Sequence, residues 1–478
     1  MTAEEFRAEA HKMVDWMADY LQNVEKYPVK SQVQPGEVFA KIDNHPPEAS
    51  HTMADIFGDF QEQILPGMTH WQSPNFFAYF PANGSYPSLL AEMLTASMGA
   101  QCMIWDTSPA AAELEEKMMH WLREITGLPE NWEGAIQSTA SEATLCAILS
   151  ARERATDFSV NQNGLQGEAC FRVYCSSQTH SSVEKGAKIA GLGKRNTIKI
   201  SVDEDFAMRP DALLDAIQQD LAGGMRPLCV VATLGTTSST AIDPLREIGK
   251  ICKEYGIWLH VDAAYGGSAL VLPEYRYMLE GVELADSFVF NPHKWLFVHF
   301  DCSAYFVKDP ASLVQTFEIL PEYLKTEVGH RVNNYRDWGI PLGRRFRALK
   351  LWFSLRSFGL KEIQYRIRLH NALGKQLAEW VKGHDSFELM APVPMNLVCF
   401  RFHPSGLDDE IVLEKLNTQL VSALNRSGKM YLTHTKLNGR YTIRLCIGQT
   451  EVQHRHVEKA WERIQQTAQN ILINDEKD

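Results

Sequence analysis

The chain is short of several things, and each shortage removes a class of function. It has no basic surplus: 47 Lys and Arg against 59 Asp and Glu leave a net charge of −12 with histidines counted neutral. A protein that grips nucleic-acid backbones shows a basic patch or stripe, so that class is set aside. No apolar run reaches the length of a membrane-spanning helix, and no membrane partner is expected. The acidic start Met1-Thr2-Ala3-Glu4-Glu5 lacks the basic end and apolar stretch of a secretory signal. Its nine cysteines include no Cys-x-x-Cys pair. An odd, unpaired set reads as reduced thiols in the cytoplasm, not as a disulfide frame. Metal ligands at close spacing are also missing; neither His260 nor the pair His454 and His456 supplies them. There is no internal repeat and no low-complexity linker.

What is present is the composition of a soluble globular protein, 45% hydrophobic and 22% charged over 478 residues. That length supports two or three domains and a large core. Three segments differ in character. Residues 1–85 are helical: Phe6, Ala10, Met13, Val14, Met17 and Leu21 repeat at helical spacing over 2–24, and a second helix holds Ile56, Phe60 and Ile64. These helices have no sheet of their own to cover, which hints at a partner subunit. Residues 86–349 alternate helical patterns with short apolar runs, the signature of an α/β domain with a mostly parallel sheet. The strands expected are 171–175, 228–232, 257–261, 287–290 and 303–307. A helix over 108–126 is bracketed by Ser108, Pro109 and Gly127 as cap, first residue and stop. Residues 350–478 form a smaller α+β unit, with strands at 397–402 and 441–445 and helices at 409–426 and 454–472.

Chemistry is expected where strands end, because open α/β sheets bind ligands outside their carboxyl edges. Lys294 stands just past the run Ser287-Phe288-Val289-Phe290. Desolvation there disfavours its ammonium, so its amine can attack a carbonyl. Asp262 follows another strand and can hold a pyridine nitrogen protonated. The pair suggests a pyridoxal phosphate Schiff base on Lys294 with Asp262 on the ring nitrogen. Ser138-Thr139-Ala140-Ser141-Glu142 opens a helix, and reads either as a phosphate site or as an ordinary capping box. His180 reads either as a ring-stacking residue or as a surface histidine. The aromatic stretch at 71–87, with Trp71, Tyr79 and Phe80, reads either as core packing or as a wall for a flat substrate.

The order of these features, phosphate loop, histidine, threonine, aspartate and lysine, resembles the pyridoxal-phosphate-dependent group II decarboxylases, in particular the aromatic-L-amino-acid branch. The resemblance runs through Thr69-His70-Trp71, Phe76 to Pro81, Ala140 to Thr144 and Thr179 to Val183. It continues through Leu234 to Thr237, His260 to Tyr265, Asn291 to Trp295, Phe300 to Ser303 and Ile340 to Arg347. It implies a fold-type I enzyme that works as a homodimer, with its active site at the subunit interface. It also implies roles. Lys294 anchors the cofactor, Asp262 pairs with the ring nitrogen, and His180 stacks on the ring and reaches the substrate carboxylate. Ala140, Ser141, Asn291 and His293 hold the phosphate, with Thr237 and Ala264 near the ring. Tyr323 matches the catalytic tyrosine of a mobile loop and protonates the substrate carbon. Trp71, Tyr79, Phe80, Pro81, Ala82, Gln101, Met103 and Gly343 shape the substrate pocket.

The implied reaction is decarboxylation of tyrosine, tryptophan, phenylalanine or dihydroxyphenylalanine. Some positions depart from the animal members of that branch. Ala82 replaces a threonine, while Gln101 and Met103 stand for an isoleucine and a phenylalanine. Those changes weaken a catechol preference. Rivals remain: a histidine decarboxylase commonly has serine where Gly343 stands, and an aldehyde synthase commonly lacks the residue matching Tyr323 or His180. An aminotransferase with a late carboxylate-binding arginine (Arg444) and an inactive scaffold are the remaining alternatives.

Overall fold

A computed structural model describes residues 1–319 and 332–475. The chain forms two compact units. One takes in Met1–Pro81, Leu373–Met390 and Val398–Asp478; the other takes in Ala82–Ala372 and Ala391–Leu397.

The unit beginning at Ala82 is built on a seven-stranded sheet. In chain order its strands are β1 (Glu133–Gln137), β2 (Phe171–Ser176), β3 (Thr197–Ile200), β4 (Arg226–Thr233), β5 (Trp258–Asp262), β6 (Ser287–Phe290) and β7 (Ser303–Val307). They lie side by side as β1-β7-β6-β5-β4-β2-β3. From β6 across to β3 each neighbouring pair is parallel, while β7 runs antiparallel to both β6 and β1. Parallel neighbours need long connections: the helix Ser182–Ile189 joins β2 to β3 and Leu245–Tyr255 joins β4 to β5, while Ala140–Ala155 and Pro210–Ala222 lie on the crossovers from β1 to β2 and from β3 to β4, which are not adjacent. Strands covered on both faces are dry on both faces. Accordingly every residue of β5, β6 and β7 is buried. That is why these strands read as apolar runs rather than as alternating ones.

The helix Pro109–Thr126 starts and stops where expected, with Gly127 at φ 78° closing it. One detail differs. The Ser108 hydroxyl donates to the carbonyls of Gln101 and Thr107, and only its backbone carbonyl caps, accepting from Ala111 and Ala112. The long helical stretch begins at Arg347. Over Arg347–Lys382 it is two helices meeting at Gly359, whose φ of 66° no helix interior adopts.

The other unit has a four-stranded sheet ordered β10-β11-β9-β8, from β8 (Phe387–Leu389), β9 (Leu397–Phe402), β10 (Thr433–Leu437) and β11 (Arg440–Cys446). The helix Glu410–Arg426 buries Leu413, Leu416, Leu420 and Leu424 at helical spacing. The opening helix Ala3–Gln22 has a full capping box between Thr2 and Glu5, yet no residue in it is buried. Trp16 meets Tyr20, Phe57 and Phe60 by ring contacts at 5.2–5.7 Å. The second expected helix runs Met53–Asp59 and then widens to a π-helical turn over Phe60–Ile64.

Candidate active site

Asp262 is the last residue of β5 and is only 4% exposed. In register it lies between Thr233 of β4 and Val289 of β6, and its Oδ1 accepts the Ala264 N–H at 3.0 Å. His260, two positions earlier, shares its face by strand alternation. Burial pushes that imidazole down to about 4, so it stays neutral beside the carboxylate. A second buried acid lies near. Asp243 accepts the backbone N–H groups of Met208 and Thr233, each at 2.7 Å, and burial pushes its carboxyl up to about 7.

Lys294 sits in the one-turn helix Pro292–Trp295 directly after β6. Its carbonyl accepts the Asn83 side-chain amide at 2.7 Å, and the Asn83 N–H donates to the His293 carbonyl at 3.0 Å. Its neighbour Trp295 is buried, stacks on Tyr265 with ring centres 4.9 Å apart, and donates its indole N–H to His370 Nδ1 at 2.8 Å. The Tyr265 hydroxyl donates to Asn396 Oδ1 at 2.9 Å. Burial holds His370 at about 3, so its Nδ1 remains a lone-pair acceptor. Asn83, His370 and Asn396 were not among the residues expected from sequence. Their partners are 211, 75 and 131 positions away, and only folding joins them.

His180 follows β2. The Ser182 N–H donates to its Nδ1 at 3.2 Å, which leaves the ring proton on Nε2. Desolvation lowers its pKa, the Asp262 carboxylate raises it in part, and Lys294 lowers it again. One neutral imidazole therefore feels both the carboxylate and the amine.

The helix Ala140–Ala155 has Thr139 as its cap, accepting the Glu142 N–H at 3.4 Å. The Glu142 carboxylate is engaged by the N–H and hydroxyl of Ser138. The first N–H groups of a helix, here from Ala140 and Ser141, have no partner inside it. His293 is buried, and its Nδ1 accepts the Cys302 N–H at 3.0 Å. Burial pushes it down to about 3, with Lys294 adding to the shift, so it presents a neutral Nε2–H. Buried Asn291 accepts the Ser303 hydroxyl at 2.5 Å. Thr237 is exposed on the loop after β4, and Ala264 is half-buried after β5. The two loops approach closely at Gly235, whose φ is 91° and where a Cβ would lie 3.2 Å from the Gly266 nitrogen.

The substrate-pocket candidates fall in both units. In the sheet unit, Gln101 Oε1 accepts the Arg344 N–H at 2.7 Å, and its Nε2 lies 3.2 Å from where a Cβ on Gly343 would be. The Met103 carbonyl accepts the Arg336 N–H at 2.9 Å, and Ala82 precedes Asn83. Trp71, Tyr79, Phe80 and Pro81 belong to the other unit. There Trp71 stacks on Tyr79 at 5.8 Å, the Tyr79 hydroxyl lies 3.2 Å from that of Tyr431, and the Arg444 guanidinium sits 5.4 Å from the Phe80 ring. Tyr323 lies outside the described residues.

An amine, a carboxylate and neutral imidazoles thus stand at or just past strand ends of one sheet, and the helix Ala140–Ala155 starts just past another strand of it. The chain matches the pyridoxal-dependent decarboxylase conserved domain over residues 35–403. It belongs to the pyridoxal-dependent decarboxylase family. It is 43% identical to a phenylacetaldehyde synthase of Arabidopsis thaliana, covering 99% of this chain and 97% of the relative. It is 42% identical to an aromatic-L-amino-acid decarboxylase of Catharanthus roseus, covering 99% and 95%. The solved structure of Oryza sativa TDC with PLP and tryptamine superposes with a TM-score of 0.95 at 36% identity, covering 98% of this chain and 99% of that one. The architecture is therefore fold-type I, and pyridoxal 5′-phosphate is the cofactor of this decarboxylase. The donor set fits that molecule. Asp262 and Lys294 stand at the carboxyl ends of the neighbouring parallel strands β5 and β6, which suits a ring that joins one to the other, and buried His293 keeps an uncharged N–H.

Proposed function

We propose that this enzyme converts aromatic L-amino acids, among them tyrosine, tryptophan, phenylalanine and dihydroxyphenylalanine, to the corresponding amine and CO2. The observation that carries this is the placement of Asp262 at the end of β5 and of Lys294 just past the end of the neighbouring parallel strand β6, in a chain of the decarboxylase family. When bound, pyridoxal phosphate supplies a conjugated, protonated pyridine that accepts the electron pair of the breaking carboxylate bond.

The chain's own residues do the rest. Lys294 provides the amine that holds the cofactor, and its one-turn helix is tied down at Asn83 and at Trp295. Asp262 keeps the ring nitrogen protonated from a buried position where its charge is little screened. His180, whose Nδ1 accepts the Ser182 N–H, would stack on the ring and offer its Nε2–H to the substrate carboxylate. Ala140, Ser141, Asn291 and His293 hold the phosphate through helix N–H groups and side-chain donors, with Thr237 and Ala264 beside the ring. Tyr323 gives a proton to the substrate α-carbon after CO2 leaves. Trp71, Tyr79, Phe80, Pro81, Ala82, Gln101, Met103 and Gly343 receive the aromatic side chain.

The working form is a cytoplasmic homodimer with the active site at the subunit interface. Supporting this, the opening helix leaves Phe6 and Val14 exposed, and Tyr86, Leu90, Leu94 and Met98 form an exposed stripe at four-residue spacing. A second reading, aldehyde formation, has support in the relative named phenylacetaldehyde synthase. The presence of both Tyr323 and His180 favours the amine.

The deciding experiment incubates purified holoenzyme with tyrosine, tryptophan, phenylalanine, dihydroxyphenylalanine and histidine, measuring amine, aldehyde and CO2 separately. Amine from an aromatic substrate is expected. Histamine alone would refute the assignment of Gly343, and aldehyde as the main product would refute the role of Tyr323. In Tyr323→Phe assayed in air, amine falls and aldehyde rises, with O2 as the oxidant reduced to hydrogen peroxide and the nitrogen released as ammonia.

A further inference from the structure

We propose that the unit containing both chain ends carries a binding site for a compact oxyanion of the phosphate class, built from residues that take no part in the assigned reaction. A cavity of about 150 Å³ opens there among Glu25, Asn75, Lys429, His456, Lys459 and Arg463. That leaves room for a phosphate group with attendant water.

His456, Lys459 and Arg463 come from one face of the helix His454–Asp475, three and then four residues apart. Lys429 comes from the segment after Glu410–Arg426, and Arg463 Nη1 donates to its carbonyl at 3.5 Å. Three exposed cations thus border the cavity, in a chain whose net charge is −12. Like charges brought together cost free energy unless an anion offsets them.

The lining holds one carboxylate, Glu25, and that acid is already matched from outside the cavity. Arg455, which does not line it, grips both Glu25 oxygens at 2.7 and 3.2 Å and holds its carboxyl below the usual range. His456, 2% exposed, accepts the Gln453 N–H at Nδ1 and directs its Nε2–H at Glu25, 3.3 Å away. With Glu25 matched, Lys429, Lys459 and Arg463 remain for a ligand. A guanidinium and two ammonium groups are the donor set that phosphate oxygens favour.

The cavity also touches the aromatic stretch. Val29, on its wall, packs with Phe76 and Ala78 in one apolar cluster. The Asn75 carbonyl accepts the Tyr431 N–H at 3.3 Å, and the Tyr431 hydroxyl faces that of Tyr79.

The test titrates inorganic phosphate into holoenzyme by calorimetry, with chloride at matched ionic strength as the control. Using holoenzyme keeps the cofactor's own phosphate subsite filled. One saturable site per chain is expected, with a melting temperature that rises with phosphate concentration. The double variant Lys459→Gln/Arg463→Gln is expected to bind at least about tenfold more weakly, with unchanged turnover of the preferred substrate. Glu25→Gln, which removes the opposing charge, is expected to tighten binding. A heat no different from chloride, or full affinity in the double variant, overturns the proposal. Glycerol phosphate as a second probe separates the sources: uptake of both probes assigns phosphate monoesters, and uptake of inorganic phosphate alone assigns the free ion. The proposal stands or falls by binding, independently of which amino acid is decarboxylated.

Discussion

The strand-end site and the aromatic stretch at 71–81 are built in opposite ways. Asp262, Asn291 and His293 are buried and fixed by short hydrogen bonds to the backbone or to a neighbouring hydroxyl. Trp71 and Tyr79 are 37% and 48% exposed and are held mainly by ring contacts, with Tyr79 at a φ of 51° that side chains rarely adopt. Bond-breaking chemistry demands positions good to a fraction of an ångström, and a sheet flanked by helices supplies that. Choice of side chain tolerates, and gains from, a surface that can change without unfolding the core. Substitutions in the first region should therefore act on turnover or stability, and substitutions in the second on substrate preference.

The largest effect expected is in Lys294→Ala, with turnover down by about 10⁴-fold and the yellow cofactor band lost. Borohydride reduction followed by peptide mapping checks the same residue in the wild type, where the label should sit on Lys294. Asp262→Asn is expected to keep the cofactor and lose roughly 10²–10³-fold in turnover, the usual result of removing one buried electrostatic partner. If Asp262→Asn altered substrate preference and spared turnover, the contrast between the regions would fail.

Acid should expose the rigidity of the first region. His370 and His293 are held at about 3 and His260 at about 4, each chiefly by burial. The unfolded value is about 6.5. A base with a lowered folded pKa binds protons better when unfolded, so its contribution is whole above the unfolded pKa and is lost as pH falls towards the folded one. Each residue can remove up to about 1.4 kcal/mol per pH unit in that window. Melting temperature should fall steeply from pH 6.5 to 4. His370→Phe should flatten that curve, while lowering stability at pH 7.5 by about 1–3 kcal/mol because the buried Trp295 N–H loses its acceptor. Denaturant titration at several pH values checks both.

Much of the first region was legible because its signals are local. Strands β6 and β7 fall on 287–290 and 303–307 as expected, since doubly buried strands write themselves as apolar runs. Lys294 and Asp262 stand out by following such runs. Four strands, β1, β3, β8 and β10, escaped notice, and two of them carry weaker patterns. Glu133-Gly134-Ala135-Ile136-Gln137 mixes polar ends with small residues, and Thr433-His434-Thr435-Lys436-Leu437 alternates burial with few apolar side chains. Asn83 and His370 escaped for a different reason. Each acts on a residue distant in sequence, and an asparagine in a loop or a histidine in a helix announces no partner. The cationic cavity is of the same kind, joining Glu25 to Lys459 and Arg463 through the fold alone.

The smallest expected effect is the one that separates the regions most sharply. Tyr79→Phe keeps the ring that stacks on Trp71 and removes the hydroxyl that meets Tyr431 at 3.2 Å. That contact is exposed, so water replaces it at little cost, and stability should move by no more than about 0.5 kcal/mol. If Tyr79 forms part of the substrate wall, KM should shift by a few-fold, unequally for tyrosine and phenylalanine, since only one of them carries a hydroxyl to pair. Turnover at saturation should stay put, because loss of an interaction made equally before and during the reaction raises KM alone. A fall in turnover matching that of Asp262→Asn would mean that the aromatic stretch shares in the chemistry, and that its exposed, ring-held construction is no guide to its role.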